Sequence, residues 1–246
     1  MKKEQPAATI ERGIVLHTTK YSERQMIVHM ITASHSRATY ITYVGRAQSR
    51  RLFAPLAILE FSDTPSTGTL GKMSGAGLCP ALYDVSSNII KCTLALFVSE
   101  LLYRVVRSEN ESSGDLFAFV ERSVIELDGL RNATSIANFH LYFMVHLAAI
   151  LGYAPRANWG EGMFFDIKAG EFTCREPLGH SLWLAPREGA ILYKLLSASG
   201  SETEHLVLSG VERSRFLSSM VDYYAWHTDA IHSVRSIAIL SEIFSD

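Results

Sequence analysis

"RGIVLHTTKYSERQMIVHMITASHSRATYITYVG", residues 12–45, contains three β-rich runs and two short polar turns. The runs are Arg12–Tyr21, Gln25–Ala33 and Ala38–Gly45. The turns are Ser22-Glu23-Arg24 and Ser34-His35-Ser36-Arg37. Ile, Val, Thr and Tyr dominate the runs, and these residues suit a pleated, half-buried surface. Two further strands follow. "APLAILEFSDT" (54–64) is nearly continuous apolar at first, and "TLGKMSGAGLCPA" (69–81) is weaker and interrupted by glycine. Five short strands before residue 81, with no helical periodicity, predict a five-stranded barrel of the oligonucleotide-binding (OB) type. A five-stranded SH3-like barrel has the same strand content.

After Pro80 the pattern becomes helical. Ile90, Leu94, Phe97, Val98, Leu101 and Val105 recur at three and four, which predicts a helix over 88–106. Ser86 or Ser87 is the expected N-cap, and Arg104 and Arg107 complement the dipole of the last turns. Further helices are expected over 115–127, 137–151, 186–198, 209–226 and 234–244. Gly152 and Pro155 close the third of the chain's long helices, and Ser209 with Glu212 forms a capping box. "GMFFDIKAGEFTC" (162–174) is a hairpin turning at Lys168-Ala169-Gly170. The expected class is therefore α+β with two domains: an OB barrel over 1–81 and a mostly helical domain over 82–246 with a β-hairpin insert near 160–184.

The chain has 246 residues, 48% of them hydrophobic and 20% charged, which is globular composition rather than disorder. No internal repeat or low-complexity segment is visible. "MKKEQPAAT" lacks the apolar stretch of a secretory signal. The most apolar run, 139–153, is interrupted by His140 and His146 and is not expected to span a bilayer. Three scattered cysteines, Cys79, Cys92 and Cys174, argue against a disulfide framework and for a reducing, cytoplasmic setting.

The net charge of −2 conceals an asymmetry. Residues 1–80 carry ten Lys and Arg against five acids, a net of +5, and the remainder nets −7. A basic front on an acidic body suggests a polyanion-binding module joined to something else. Lys20 and Arg24 flank the first turn, Arg37 lies in the second, and Arg46, Arg50 and Arg51 follow the third strand with Gln48 and Ser49 among them. Successive turns of a barrel fall on opposite rims, so these six need not share one surface. Tyr43, or Tyr40 from the other face, offers a ring for base stacking. Because the two alternate, one of them belongs to the core.

No catalytic motif emerges. "GKMSGAG" (71–77) has Met73 where a phosphate loop needs Ser or Thr after Lys72, and its spacing fails the dinucleotide fingerprint as well. His140 and His146 stand six apart, which does not stack them as i, i+4 metal ligands, so they read as core histidines. No enzyme activity and no cofactor are expected.

"GIVLHTTKYSERQMIVHMIT", "YVGRAQSRRLFAPLAILEF", "ALFVSELLYRVVR" and "NFHLYFMVHLAAILGYAP" together resemble, in order, the RecO-type recombination mediators of bacterial DNA repair. The resemblance implies an N-terminal OB fold, binding to single- and double-stranded DNA, annealing of complementary strands, and nucleoid association. It also implies partnership with RecR and with the C-terminal tail of single-stranded-DNA-binding protein (SSB), so that RecA is loaded onto SSB-coated strands. An acidic, apolar tail calls for a greasy groove with a cationic rim, and Arg104 and Arg107 are the candidates for that rim. Two departures stand out. Many members carry a four-cysteine zinc site after the "LGYAP" position, where this chain has only Cys174 between residues 156 and 186; no zinc is expected, and the hairpin is a bare remnant. The turn before the third strand reads Ser36-Arg37 where glycine-arginine is common. An RNA-binding or translation-associated protein on the same barrel is the alternative reading.

Overall fold

A computed structural model describes residues 8–43, 45, 49–64, 70–106, 113–228, 231 and 234–244. Five strands, β1 (Thr9–Lys20), β2 (Gln25–Thr32), β3 (Ala38–Tyr43), β4 (Ile58–Thr64) and β5 (Leu70–Leu78), close a barrel in the order β1-β2-β3-β5-β4. The β3–β5 pair is parallel, and the neighbouring pairs are antiparallel. A helical turn, α1 (Ser49–Leu52), lies between β3 and β4, in the arginine-rich connection. This is the OB arrangement.

Cross-strand partners share a face. Thr18, Val28, Tyr40 and Gly71 form one row, and Lys20, Met26 and Thr42 form the next. Val28 and Tyr40 in these rows join Val15, Met30, Phe53, Leu59, Phe61 and Met73 in the barrel core. Tyr40 is thus the core tyrosine. Its ring meets Phe61 edge-on, and its hydroxyl donates to Asp63 Oδ2 at 3.3 Å. A Cβ on Gly71 would lie 2.6 Å from the Tyr40 ring, so the ring fits only because residue 71 has no side chain. The register slips between Val15 and His17, where Leu16 is an extra, buried residue.

Leu56 is buried with φ of +61°, a left-handed conformation that costs a bulky residue of order 1–3 kcal/mol. Two backbone bonds hold it: Leu56 N–H donates to Val15 O, and Val15 N–H donates to Ala57 O. The chain returning from α1 is thereby tied to the bulge in β1. In the 33–37 turn no residue has positive φ, so Ser36 stands there without backbone strain.

The chain divides into two compact units, Met1–Ile125 and Glu126–Asp246. In the first unit the barrel is joined by α2 (Asp84–Ser87) and α3 (Ile89–Val105), with α3 packed on β1. The N-cap of α3 is Asn88, whose side chain accepts from Ile90 N at 3.0 Å and Lys91 N at 3.2 Å. Ser86 and Ser87, the expected caps, lie inside α2 and donate back to Tyr83 O, which leaves their oxygens off the start of α3. The next helix, α4 (Ser113–Gly129), begins two residues before its expected start.

In the second unit α5 (Ala133–Ile150) is the central helix. By length and composition it could cross a membrane, but 56% of that span is buried inside the protein. Asn132 caps it, four residues before the apolar pattern begins. The hairpin forms from β6 (Phe164–Asp166) and β7 (Glu171–Thr173), and β8 (Trp183–Leu184) adds a third strand to β6. Asp166 Oδ1 accepts from Lys168 N and Ala169 N, and Gly170 adopts a φ of +68° with Tyr223 Oη only 3.3 Å from where a Cβ would sit. Helices α6 (Pro186–Ser197) and α7 (Gly210–His227) pack on α5, and α8 (Ser236–Ile243) ends the described chain. Ser209 and Glu212 cap α7 reciprocally.

Buried Asn138 of α5 organises the short 3-10 segment Ser201–His205. Its Nδ2 donates to Thr203 O and Leu206 O, and its Oδ1 accepts from Arg213 Nε. His140 stacks on Phe244 at 5.5 Å, and burial, reinforced by the Arg213 charge, pushes its imidazole down to about 3. It is therefore neutral in the folded state. An unfolded-state histidine titrates near 6.5, so the stability tied to His140 is complete above that pH and is lost as pH falls toward about 3. The slope is at most about 1.4 kcal/mol per pH unit. All three tryptophans, Trp159, Trp183 and Trp226, lie in this unit and report its unfolding. Urea melts followed by tryptophan fluorescence at pH 7.5 and 5.5 will show a smaller loss for His140→Phe, which keeps a ring against Phe244, than for the parent chain.

Candidate nucleic-acid interface

The outward face of β1, β2 and β3 carries three rows. The first is His17, His29 and Thr39. The second is Thr19, Ile27, Ile41 and, on the neighbouring β5, Lys72. The third is Gln25 and Tyr43. Beyond the third row the β1–β2 turn brings Tyr21, whose N–H donates to Gln25 O. Tyr43 is 78% exposed and Tyr21 62%, while Ile27 and Ile41 are half-buried. In an OB barrel, the β2–β3 face and the β1–β2 loop are where oligonucleotides bind.

Of the residues singled out from sequence, Lys20, Arg24 and Tyr43 come together at this rim, because β1 and β3 both run toward it. Lys20 pairs with Glu23 at 3.3 Å, but both side chains are exposed, and such a pair is worth little in water. Arg24 is exposed, and no described carboxylate pairs with it. Lys72 is also exposed and unpaired among the described residues. Its place beside Ile41 depends on the parallel β3–β5 pairing, which joins segments separated by a whole strand and a loop, so sequence reasoning did not find it.

Arg37 lies at the opposite rim and is engaged within its own unit. Its guanidinium sits 4.4 Å from the centroid of the Tyr103 ring, and its Nη1 donates to Val106 O at 3.3 Å, at the C-terminus of α3. Arg12, also in the basic N-terminal set, reaches Glu121 and Cys79 O. Arg51 is exposed on α1 and lines a cavity of about 510 Å³ with Pro55, Leu78, Pro80 and Tyr83; none of Lys20, Arg24 or Tyr43 borders it. Arg46 and Arg107 fall outside the described residues, as does the side chain of Arg50. Arg104 stands in the last turn of α3 at 5.8 Å from the Tyr103 ring, and its buried Nε meets no acceptor among the described residues.

The first row ends against α3. His17 and His29 stack at 6.0 Å, and Tyr103 closes on them at 4.9 and 5.2 Å. His29 Nδ1 pairs with Thr39 Oγ1 at 3.1 Å, and burial, then the charges of Arg37 and His17, holds its imidazole below the ordinary value. His17 remains exposed at the edge of this stack. Among the described residues, no three His, Cys, Asp or Glu side chains are placed to hold a metal ion.

Two family models match the chain: the N-terminal domain of recombination protein O over residues 7–79 and its C-terminal domain over 86–235. The DNA repair protein RecO of Bacteroides fragilis is 34% identical over 239 residues, covering 94% of this chain and 97% of that protein. That of Phocaeicola vulgatus is 35% identical over 240 residues, with 95% and 98% covered, and that of Flavobacterium johnsoniae 30% over 241, with the same shares.

The geometry of Arg37 predicts an outcome opposite to that of a phosphate contact. Arg37→Ala removes a cation–π contact and a charged hydrogen bond, together about 1–3 kcal/mol of the first unit's stability. Amide exchange in β2, β3 and the end of α3 will quicken, while the salt dependence of oligonucleotide binding stays unchanged. A flattened salt dependence with normal exchange would return Arg37 to the binding surface.

Proposed function

The chain belongs to the RecO family of DNA repair proteins, and on that premise we propose that it is a recombination mediator that binds single- and double-stranded DNA and anneals complementary strands. The observation that carries this reading is the nucleic-acid face of an OB barrel, where Lys20 and Arg24 stand at the rim with exposed Tyr43 and Lys72 lies in the neighbouring row beside Ile41. Cations at this rim hold phosphates without reading sequence. That suits annealing, in which any strand must be accepted and its pairing edges left free. Arg46, Arg50 and Arg51, which follow Tyr43 in the sequence, remain proposed contacts to nucleic acid.

Family membership supports the rest of the proposal: partnership with RecR and with the SSB tail, delivery of RecA to SSB-coated strands, no catalytic step, and a cytoplasmic, nucleoid-associated site of action. Arg104 and Arg107 remain the proposed cations for the SSB tail. Arg104, a half-buried residue in the last turn of α3, supports that assignment.

Three phosphate contacts give a slope of about −2 in log affinity against log salt, at roughly −0.7 per phosphate for a single strand. Between 50 and 200 mM salt, affinity then falls on the order of 20-fold. Replacing Lys20, Arg24 and Lys72 together with alanine will flatten the slope by about 2 and slow annealing of complementary oligonucleotides precoated with SSB. An unchanged slope and annealing rate in that variant would remove the rim from the mechanism. Tighter binding to RNA than to matched DNA, without annealing, would favour an RNA-binding role.

A further inference from the structure

We propose that the cavity among α1, the end of β5, α2 and α3 is a binding site for a small amphiphile, an apolar body that ends in one carboxylate. The inference goes beyond the DNA-binding reading and does not depend on it. The cavity has a volume of about 510 Å³ and lies within the first unit. Small-molecule pockets run from roughly 300 to 1,000 Å³ and are mostly apolar, with a few polar groups that fix orientation. Here buried Ala57, Ile58, Val85 and Ala95 supply apolar wall, while Leu78 and Tyr83 keep 36% and 66% of their surface open to an occupant. The walls are tied together without a ligand. Cys79 N–H donates to Ile58 O at 2.9 Å, which holds the end of β5 to β4. Lys91, whose side chain is buried on α3, reaches Asp84 Oδ2 at 3.2 Å and so ties α2 to α3. A pocket preformed in this way does not have to be ordered by its ligand.

The lining decides the chemistry of the occupant, because its polar side chains are few. Ser86 and Ser87 use their hydroxyl hydrogens on Tyr83 O, at 2.9 and 2.8 Å, and keep only lone pairs to offer. The Cys92 thiol is a weak donor. Arg51 is the one charged side chain among the described lining residues. It is exposed, and no described carboxylate pairs with it. A single guanidinium over apolar walls matches a single carboxylate, which it can hold through two parallel hydrogen bonds. An amphiphilic cation finds no described carboxylate in this lining and is repelled by Arg51. Nucleotides and sugars carry many polar groups, which these walls would leave without partners. One guanidinium does not hold a carboxylate and a phosphate in the same way at once, so an occupant would compete with the proposed contact of Arg51 to nucleic acid.

Calorimetric titration of the full chain, without DNA, with decanoate, decanol and decylammonium provides the test, since the three share one apolar body. Decanoate should bind about 10-fold more tightly than decanol, and decylammonium should not bind. Arg51→Gln, at an exposed position, should bring decanoate down to the level of decanol and leave decanol unchanged. Cys92→Trp, also at an exposed position, should fill the cavity and abolish binding of both. Thiol reactivity reads the location. With Cys79→Ser and Cys174→Ser in place, saturating decanoate should slow modification of Cys92 severalfold. With Cys79→Ser and Cys92→Ser instead, Cys174, which lies in the second unit, should react at an unchanged rate. Equal affinity for decanoate and decanol, normal decanoate binding by Arg51→Gln, unaltered Cys92 reactivity, or equal slowing at Cys174 would overturn the site. Protection of Cys92 by a peptide with acidic side chains and an apolar C-terminus, but not by decanoate, would also overturn it and assign the cavity to a protein tail. Each of these failures leaves the DNA-binding reading standing, because no nucleic acid enters the measurement.

Discussion

Between Val15 and His17, strand β1 carries one residue more than its partner β2, and Leu16 is buried where strict alternation would turn it outward. A bulge of this kind shifts the side-chain phase of everything after it. Before the bulge, Val15 faces the barrel core beside Met30. Without it, residues 17 and 19 would face inward as well, bringing an imidazole and a hydroxyl into an apolar interior. With it, Thr18 and Lys20 take the inward phase near the open end of the barrel, while His17 and Thr19 point out. The return strand reinforces the arrangement, since Leu56 and Ala57 bond both backbone groups of Val15 despite the left-handed strain at Leu56. The outward face, the α3 wall against it and the rim beyond it all inherit their phase from this one insertion.

Charge on this unit divides into two roles. A net of +5 over residues 1–80 does not measure binding capacity. Arg12 and Arg37 are drawn inward, to Glu121 and Cys79 O in one case and to Tyr103 and Val106 O in the other. A guanidinium held by a ring and a helix-end carbonyl stabilises the fold and has little left for a ligand. Lys20, Arg24 and Lys72 differ in having only solvent or another exposed side chain for company. Solvent accessibility, more than the count of cations, separates a phosphate contact from a structural one.

Local physics made much of the fold legible. The three runs in residues 12–45 became β1–β3 with nearly the expected bounds, the hairpin turned at Lys168-Ala169-Gly170, and the Ser209–Glu212 capping box started α7. In each case neighbouring residues carry the signal. Errors came where competition between neighbours decided the outcome. Asn88 outcompeted Ser86 and Ser87 as a cap because α2 engages their hydroxyls first, and Ile90, placed on the apolar stripe of α3, is partly exposed near its open first turn. The site was less legible still. Lys20, Arg24 and Tyr43 were visible as a basic turn and an alternating tyrosine, but Lys72 joins them only through the parallel β3–β5 pairing, and His17 faces out only because of the bulge. Neither follows from spacing along the chain.

On the proposed surface, grip and presentation of a strand would have different physical origins. Phosphate contacts draw on counterion release and weaken steeply with salt. Contact between a ring and a base draws on stacking and the burial of apolar faces, which ions screen little. A surface with only cations would hold duplex and single strand alike and would release both as ionic strength rises. A surface with only rings would hold single strands but gather them slowly, without the long-range attraction that steers a polyanion in. In the proposed function, cations at the rim would collect a strand by charge and exposed Tyr43 would orient it by stacking. A strand so held would keep its pairing edges toward solvent, where a complementary partner can reach them.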